Sequence, residues 1–240
     1  MLRQLLNEPK RTDNGELLKA FQAIEQYRAK LGRIGPGGHP SKSQTVQAVP
    51  RLELWAQGFT VALDELEESK HCADSFGRLV KSVFVEDMAE EERDAYRRYL
   101  YFYKNAFIRV FSVLDKLGYF LDELYSLGTG RVKPRFSYFT VLRQMHEKKI
   151  ETELEQKLFV MRKKYEEPLR RLRSQRNMEI HLLNAEMVDD MLLAKSATHR
   201  DGRQKVENLP QNLSDLAAGY EMACNAVEAV FVHAKNSARS

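Results

Sequence analysis

Leu100-Tyr101-Phe102-Tyr103-Lys104-Asn105-Ala106-Phe107-Ile108-Arg109-Val110-Phe111-Ser112-Val113-Leu114 is the stretch that decides the fold. Leu100, Tyr103, Phe107, Val110 and Leu114 recur at alternating steps of three and four, and Leu117, Leu121 and Leu124 extend the series unbroken. This period lays one apolar stripe along a helix and is the seam of helices packed side by side at a shallow angle. Upstream, Glu86-Asp87-Met88-Ala89-Glu90-Glu91-Glu92 puts carboxylates where the positive end of the helix dipole should lie. The expectation is a helix over about residues 88 to 127, roughly 60 Å long at 1.5 Å per residue, stopping at Gly128-Thr129-Gly130.

The same period runs through an earlier segment: Trp55, Phe59, Ala62, Leu66, Ser69, Ala73, Phe76, Val80 and Val83. The connection between the two is short, so they should form a long antiparallel helical hairpin. Before it, residues 15 to 31 read as a helix with Leu17, Leu18, Phe21, Ile24 and Tyr27 on one face, ending at Gly32. The loop Gly35-Pro36-Gly37-Gly38-His39-Pro40-Ser41 then separates an N-terminal helical arm, residues 1–45, from a main domain, residues 46–240. Downstream, helices are expected over about 137–145, 151–164, 168–180 and 213–235, the last with Leu216, Tyr220, Ala223, Val227, Val230 and Phe231 inward. Residues 199–204 read as an exposed loop. No alternating strand of useful length is present. The fold class is all-α, a helical bundle built on the hairpin with additional C-terminal helices.

Composition narrows the function classes. The 240 residues carry 43% hydrophobic and 30% charged side chains, suited to one sizeable core under long charged helices. A net charge of +4 is compatible with nucleic acid without requiring it. Cys72 and Cys224 are far apart and neither has a second Cys at metal spacing, so no disulfide framework or zinc site is expected. No apolar run approaches the ~20 residues of a bilayer span, and Met1-Leu2-Arg3-Gln4 lacks a signal-peptide layout. A cytoplasmic protein that does not enter a membrane is expected. The glycine loop lacks the Gly-Lys-Ser/Thr ending of a phosphate-binding loop.

The stretch most informative for chemistry is Arg170-Arg171-Leu172-Arg173-Ser174-Gln175-Arg176-Asn177-Met178-Glu179-Ile180-His181. It resembles the signature of the HEPN superfamily, an Arg followed after four to six residues by a His, often with a polar residue next to the Arg. Those positions fall on Arg176, Asn177 and His181. A long hairpin before the motif and a final helix after it fit HEPN bundles, as does Tyr103–Arg109 continuing to Asp115-Lys116. A second match, Arg33 with His39, sits in the glycine loop with no helix to fix it and is set aside.

The resemblance implies metal-independent RNA cleavage, needing no cofactor. His can give or take a proton near neutral pH, Arg offers a two-pronged donor matched to phosphate, and Asn can orient the imidazole. On a regular helix Asn177 and His181 share a face, whereas Arg176 and His181 point about 140° apart. They converge if the helix ends or bends near His181, or if the Arg comes from a second copy, as in HEPN nucleases with two motifs facing across a dimer. Expected partners are therefore RNA, a second copy of the chain, and an antitoxin or other partner protein of a toxin-like nuclease. Arg170, Arg171 and Arg173 form the expected RNA-guiding surface, within a basic run that includes Arg162, Lys163 and Lys164. The structural alternatives are a hydrogen-bonded Asn177–His181 pair, a salt bridge from Arg176 to Glu179 or to an acid of the final helix, and ion pairs at helical spacing for the basic run. The functional alternative is a non-catalytic helical module binding RNA, a nucleotide or a partner protein. Asn105, Arg109 and Asp115 are expected in a buried polar network, and the aromatics of the long helix in a core or dimer interface.

Overall fold

The computed structural model describes residues 2–34, 48–132, 134, 136–179 and 203–237. Among them are nine α-helices and no strand. In chain order these are α1 (Leu2–Leu5), α2 (Gly15–Ile34), α3 (Ala48–Gly77), α4 (Glu90–Leu124), α5 (Thr129–Val132), α6 (Tyr138–Lys148), α7 (Thr152–Lys164), α8 (Glu166–Asn177) and α9 (Leu209–Ser237). None of these helices is long and apolar enough to cross a membrane. The chain divides into two compact units. The first comprises Met1–Lys10, Leu66–Ile108 and Glu166–Gly219, the second Arg11–Glu65, Arg109–Tyr165 and Tyr220–Ser240.

In the second unit, Glu65 of α3 pairs with Arg109 of α4, and the Trp55 indole donates to Glu123 at 2.8 Å. In the first unit, Ser69 donates to Asn105 at 2.9 Å and Phe76 stacks on Phe102 at 5.9 Å. In both, later residues of α3 meet earlier residues of α4, so the pairing is antiparallel. α4 is unbroken over its 35 residues. α3 stops earlier than the seam pattern suggests. It ends at Gly77, where a Cβ would lie 3.1 Å from Leu213 and Tyr99 side chains. Val80 and Val83 fall beyond it, and Val83 is largely exposed. The close approach of neighbouring side chains, which no period encodes, selects glycine there.

The acids expected to face the dipole of α4 have a second task. Glu92 accepts hydrogen bonds from the backbone N–H groups of Lys81 and Ser82 and from the Ser82 hydroxyl, at 2.5 to 2.8 Å. These bonds depress its carboxyl below the usual range. The α3–α4 connection is thereby tied to the first turn of α4. Beside it, residues 203–206 run antiparallel to 83–85. Val85 donates to the Gln204 carbonyl at 3.0 Å, Val206 to the Val83 carbonyl at 2.9 Å, and Arg203 lies 3.9 Å over the Phe84 ring. Arg203 and Gln204, read as part of a solvent loop, are in this way held by Asp87 and Glu86; residues 199–202 lie outside the described residues.

The second unit is centred on four aromatics, one from each of four helices. Tyr27 (α2), Phe59 (α3), Phe120 (α4) and Phe231 (α9) are all fully buried. Phe120 and Phe231 stack with centroids 5.0 Å apart, and Tyr27 and Phe59 meet that pair edge-on at 5.4 to 6.2 Å. Such contacts add about 0.5–1.5 kcal/mol each to the area they bury. α2 thus supplies core to this unit and continues past Gly32 to Ile34. The Gly/Pro loop that follows lies outside the described residues. Asp115 accepts from the backbone N–H of Tyr138 at 3.1 Å, holding the start of α6. Opposite that turn stands Gly118, where a Cβ would sit 2.8 Å from the Tyr138 backbone. Asn105, Arg109 and Asp115, expected in a buried polar network, are half-buried instead, and bind Ser69, Glu65 and the Tyr138 backbone respectively.

Candidate functional site

α8 carries most of the motif. Its amphipathic residues Leu169 and Leu172 are buried, and two polar links hold it in the first unit. Arg171 grips Asp215 of α9 with two hydrogen bonds of 2.7 Å, the Asp215 side chain being 3% exposed, and Gln211 adds a donor at 2.9 Å. The Asp215 bonds hold the Arg171 guanidinium charged above its ordinary range. Arg170 is exposed and paired with Glu167 one turn back, at 2.8 Å. Arg173 is exposed. Asp215, one of the acids of the final helix, is thus engaged by Arg171.

The second link is a buried chain of polar groups. The Tyr103 hydroxyl donates to the Gln175 carbonyl oxygen at 2.5 Å, and the Gln175 amide donates to Asn212 at 3.0 Å. The Asn212 amide in turn donates to the Tyr99 hydroxyl at 3.4 Å and to Glu207 at 3.1 Å. Burial pushes the Tyr99 and Tyr103 hydroxyls far above their ordinary range, so both remain neutral, Tyr103 donating and Tyr99 accepting within the chain. Buried groups without partners would cost about 1–3 kcal/mol each, and this chain satisfies several at once. Gln175 directly precedes Arg176, so the network sets the register and rotation of the helix at the motif.

Arg176 is half-buried and Asn177 exposed, both in the last turn of α8. At Met178–Glu179 the backbone leaves α geometry for π-helical geometry. A π turn closes hydrogen bonds from i to i+5 and is found mostly as a local feature at functional sites. His181 lies outside the described residues. Glu179, a possible Arg176 partner from sequence, forms an ion pair with Lys104 of α4 at 2.8 Å.

An open cleft of about 470 Å³ adjoins this turn. Leu100, Phe107 and Met178 form apolar wall, while Tyr103, Gln175 and Asn212 present the polar chain just described. Lys104, Glu179, Glu207 and Asn208 complete the lining. Glu207 is exposed as a residue, yet the protein packed around its carboxyl raises that group above its ordinary value. Lys104 and the Asn212 amide act against this rise, and Glu179 adds to it. Of the cleft's polar residues, Gln175 and Glu179 stand in the motif stretch, and Tyr103 and Lys104 in the long-helix segment that carried the resemblance. Glu207, Asn208 and Asn212 carry no local signal, because they become a site through the packing of α8 and α9 on α4.

Of the remaining basic run, Arg162 covers the Phe139 ring at 5.4 Å, and Lys164 bonds the Tyr165 hydroxyl at 2.7 Å and Glu221 at 3.1 Å. Within α4, Tyr99, Tyr103, Phe107, Phe111 and Phe120 are core, whereas Tyr101 is exposed and Tyr119, partly exposed, packs on Phe136 at 4.4 Å. Both cysteines are buried thiols, and burial, with Glu68 adding to it, pushes the Cys72 thiol up to about 11. No group of three or more His, Cys, Asp or Glu among the described residues is placed to hold a metal ion.

An antiparallel helical hairpin, a short helix ending in Arg-Asn and a final helix that clamps it define a HEPN-type domain. The match to the HEPN_Cthe2314-like HEPN family model covers residues 55–235, and the chain belongs to that family. No curated protein and no solved structure matches it.

Proposed function

We propose that this protein is a metal-independent endoribonuclease with a composite site at a homodimer interface, formed by Arg176, Asn177 and His181. The observation that carries the reading is the place of Arg176-Asn177 in the last turn of α8, with Asn177 exposed. On a regular helix a spacing of five turns the guanidinium away from the imidazole, so the two meet when one copy supplies Arg176 and the other His181. In this reading His181 takes the proton of the ribose 2′-hydroxyl or supplies one to the leaving 5′-oxygen. Arg176 neutralises the crowded phosphate, and Asn177 orients the ring. Arg170 and Arg173, exposed on the same helix, guide the RNA backbone, and Arg171 joins them while also fixing α8 through Asp215. An antitoxin or other partner protein would act by covering this face.

The test uses single-stranded RNA in EDTA. His181→Ala and Arg176→Ala should each lower cleavage by about 10²–10⁴-fold while leaving the dimer and its melting temperature intact. Mixing and re-annealing the two inactive variants should restore roughly a quarter of wild-type activity, since half of the dimers would be hybrids with one intact site. Unchanged cleavage by His181→Ala excludes the mechanism. Inactive hybrids exclude the shared site.

The bidentate Arg171–Asp215 pair favours a second reading, in which α8 is held for binding alone. The module would then bind RNA, a nucleotide or a partner protein with salt-sensitive affinity and without cleavage.

A further inference from the structure

The cleft between α4, α8 and α9 in the first unit is chemically unlike the arginine face of α8, and the difference indicates what it holds. It contains one cation, Lys104, already paired with Glu179, together with a second carboxyl, Glu207. A phosphate would meet two carboxylates there, so the cleft is unsuited to the RNA backbone. It has apolar wall, and its polar groups are amides, a phenol, the Lys104–Glu179 ion pair and the carboxyl of Glu207. That is the lining of a pocket for a flat, neutral, donor-bearing ring.

We propose that this cleft receives one unstacked base of single-stranded RNA beside the cleavage motif, and that Glu207 selects guanine. The inference rests on the ribonuclease reading above and adds its base preference. An ionised carboxylate has about four lone-pair sites, and Glu207 uses one oxygen to accept from Asn212 at 3.1 Å. Guanine alone among the four bases presents an imino N–H and an amino group side by side, a two-donor edge that a carboxylate matches. Its neighbouring O6 needs a donor, and Lys104 with three N–H groups and Asn208 with its amide line the same cleft. Uracil brings one N–H between two carbonyls. Adenine and cytosine set their amino group beside an acceptor nitrogen, which would face the carboxylate with a lone pair. Leu100, Phe107 and Met178 offer apolar and sulfur contacts to the ring face. The buried chain Tyr103–Gln175–Asn212 holds the floor rigid and joins it to Arg176 through adjacency on α8, so a seated base would fix the phosphate next to the motif.

Burial also raises the Glu207 carboxyl. A ligand that brings N–H donors returns part of what desolvation removes, so binding and ionisation of Glu207 favour each other.

The experiment separates base selection from cleavage. Fluorescein-labelled pentanucleotides with 2′-O-methyl riboses, which lack the attacking hydroxyl, carry guanine, adenine, cytosine or uracil between uridines. Anisotropy titration of the wild-type protein should show the guanine pentamer bound at least about tenfold tighter than the other three. In Glu207→Gln, which keeps an acceptor and adds a clashing donor, the guanine and uracil pentamers should bind alike. Asn208→Ala, at the rim, should lessen the preference severalfold and serves if Glu207→Gln melts early. Equal binding of all four pentamers by the wild-type protein overturns the proposal, as does a guanine preference retained in Glu207→Gln. Cleavage of natural RNA without base preference would remove this pocket and leave the nuclease standing. Guanine-selective binding by a protein that cleaves nothing would do the reverse.

Discussion

Two regions of this molecule use the same helices for opposite purposes. Around Phe120 and Phe231, α4 and α9 meet α2 and α3 through four aromatic rings with no charged side chain among the four. Around Tyr103 and Asn212, α4 and α9 meet α8 through a hydroxyl, two amides and a carboxylate in series. The first arrangement maximises apolar area and contact; the second spends burial on orientation. A ring tolerates small rotations with little loss, whereas a chain of hydrogen bonds has one satisfied geometry, and a deviation leaves a buried donor or acceptor unmet. The aromatic region is where stability is expected to reside. The polar region holds the motif helix at a defined rotation.

Substitutions can break that division of labour. The largest stability effect is expected for Phe231→Ala, which removes the ring contacting Tyr27, Phe59 and Phe120; a loss of about 3–5 kcal/mol should appear in denaturant unfolding, with activity per folded molecule retained. Gln175→Leu keeps the bulk but leaves the Tyr103 hydroxyl and the Asn212 carbonyl without their partner. Its cost should be smaller, about 1–3 kcal/mol, yet RNA cleavage per folded molecule should fall well below that of Phe231→Ala. If the two variants lose activity in proportion to stability, the regions do not divide the tasks. The smallest effect sharpens the aromatic side. The Tyr27 hydroxyl is buried with no hydrogen-bond partner among the described residues, so Tyr27→Phe should stabilise by about 1 kcal/mol and raise the melting temperature without altering activity.

How much was legible in advance follows the same division. The three-and-four spacing announced α3 and α4, because a seam must repeat wherever two helices stay in contact, and the short connection announced their antiparallel pairing. The acids before α4 announced its start to within two residues. Their bonds to Lys81 and Ser82 were invisible, since a carboxylate that faces a dipole and one that staples a loop read alike. Gly77 and Gly118 carried no message as letters. Each is required by a neighbour that approaches from another helix, Leu213 and Tyr99 in one case and the start of α6 in the other. The motif helix was expected over about 168–180, and it ends at Asn177, so Arg176 and Asn177 stand in its last turn rather than inside it. Glu207, Asn208 and Asn212 lie about thirty residues further on and share no spacing with Arg176.

The sequence by itself determined the longer helices, their order and the motif, though not the four-residue helices α1 and α5, because apolar period, caps and a short Arg-to-His interval are local properties of the chain. Tertiary structure alone decided that Arg171 serves Asp215, that Glu179 serves Lys104, and that Tyr103, Gln175, Asn212 and Glu207 form one connected cleft. A polar side chain chooses its partner by distance and direction in three dimensions, and several partners compete for each. Periodicity says which face a residue occupies, and packing says what waits on the other side.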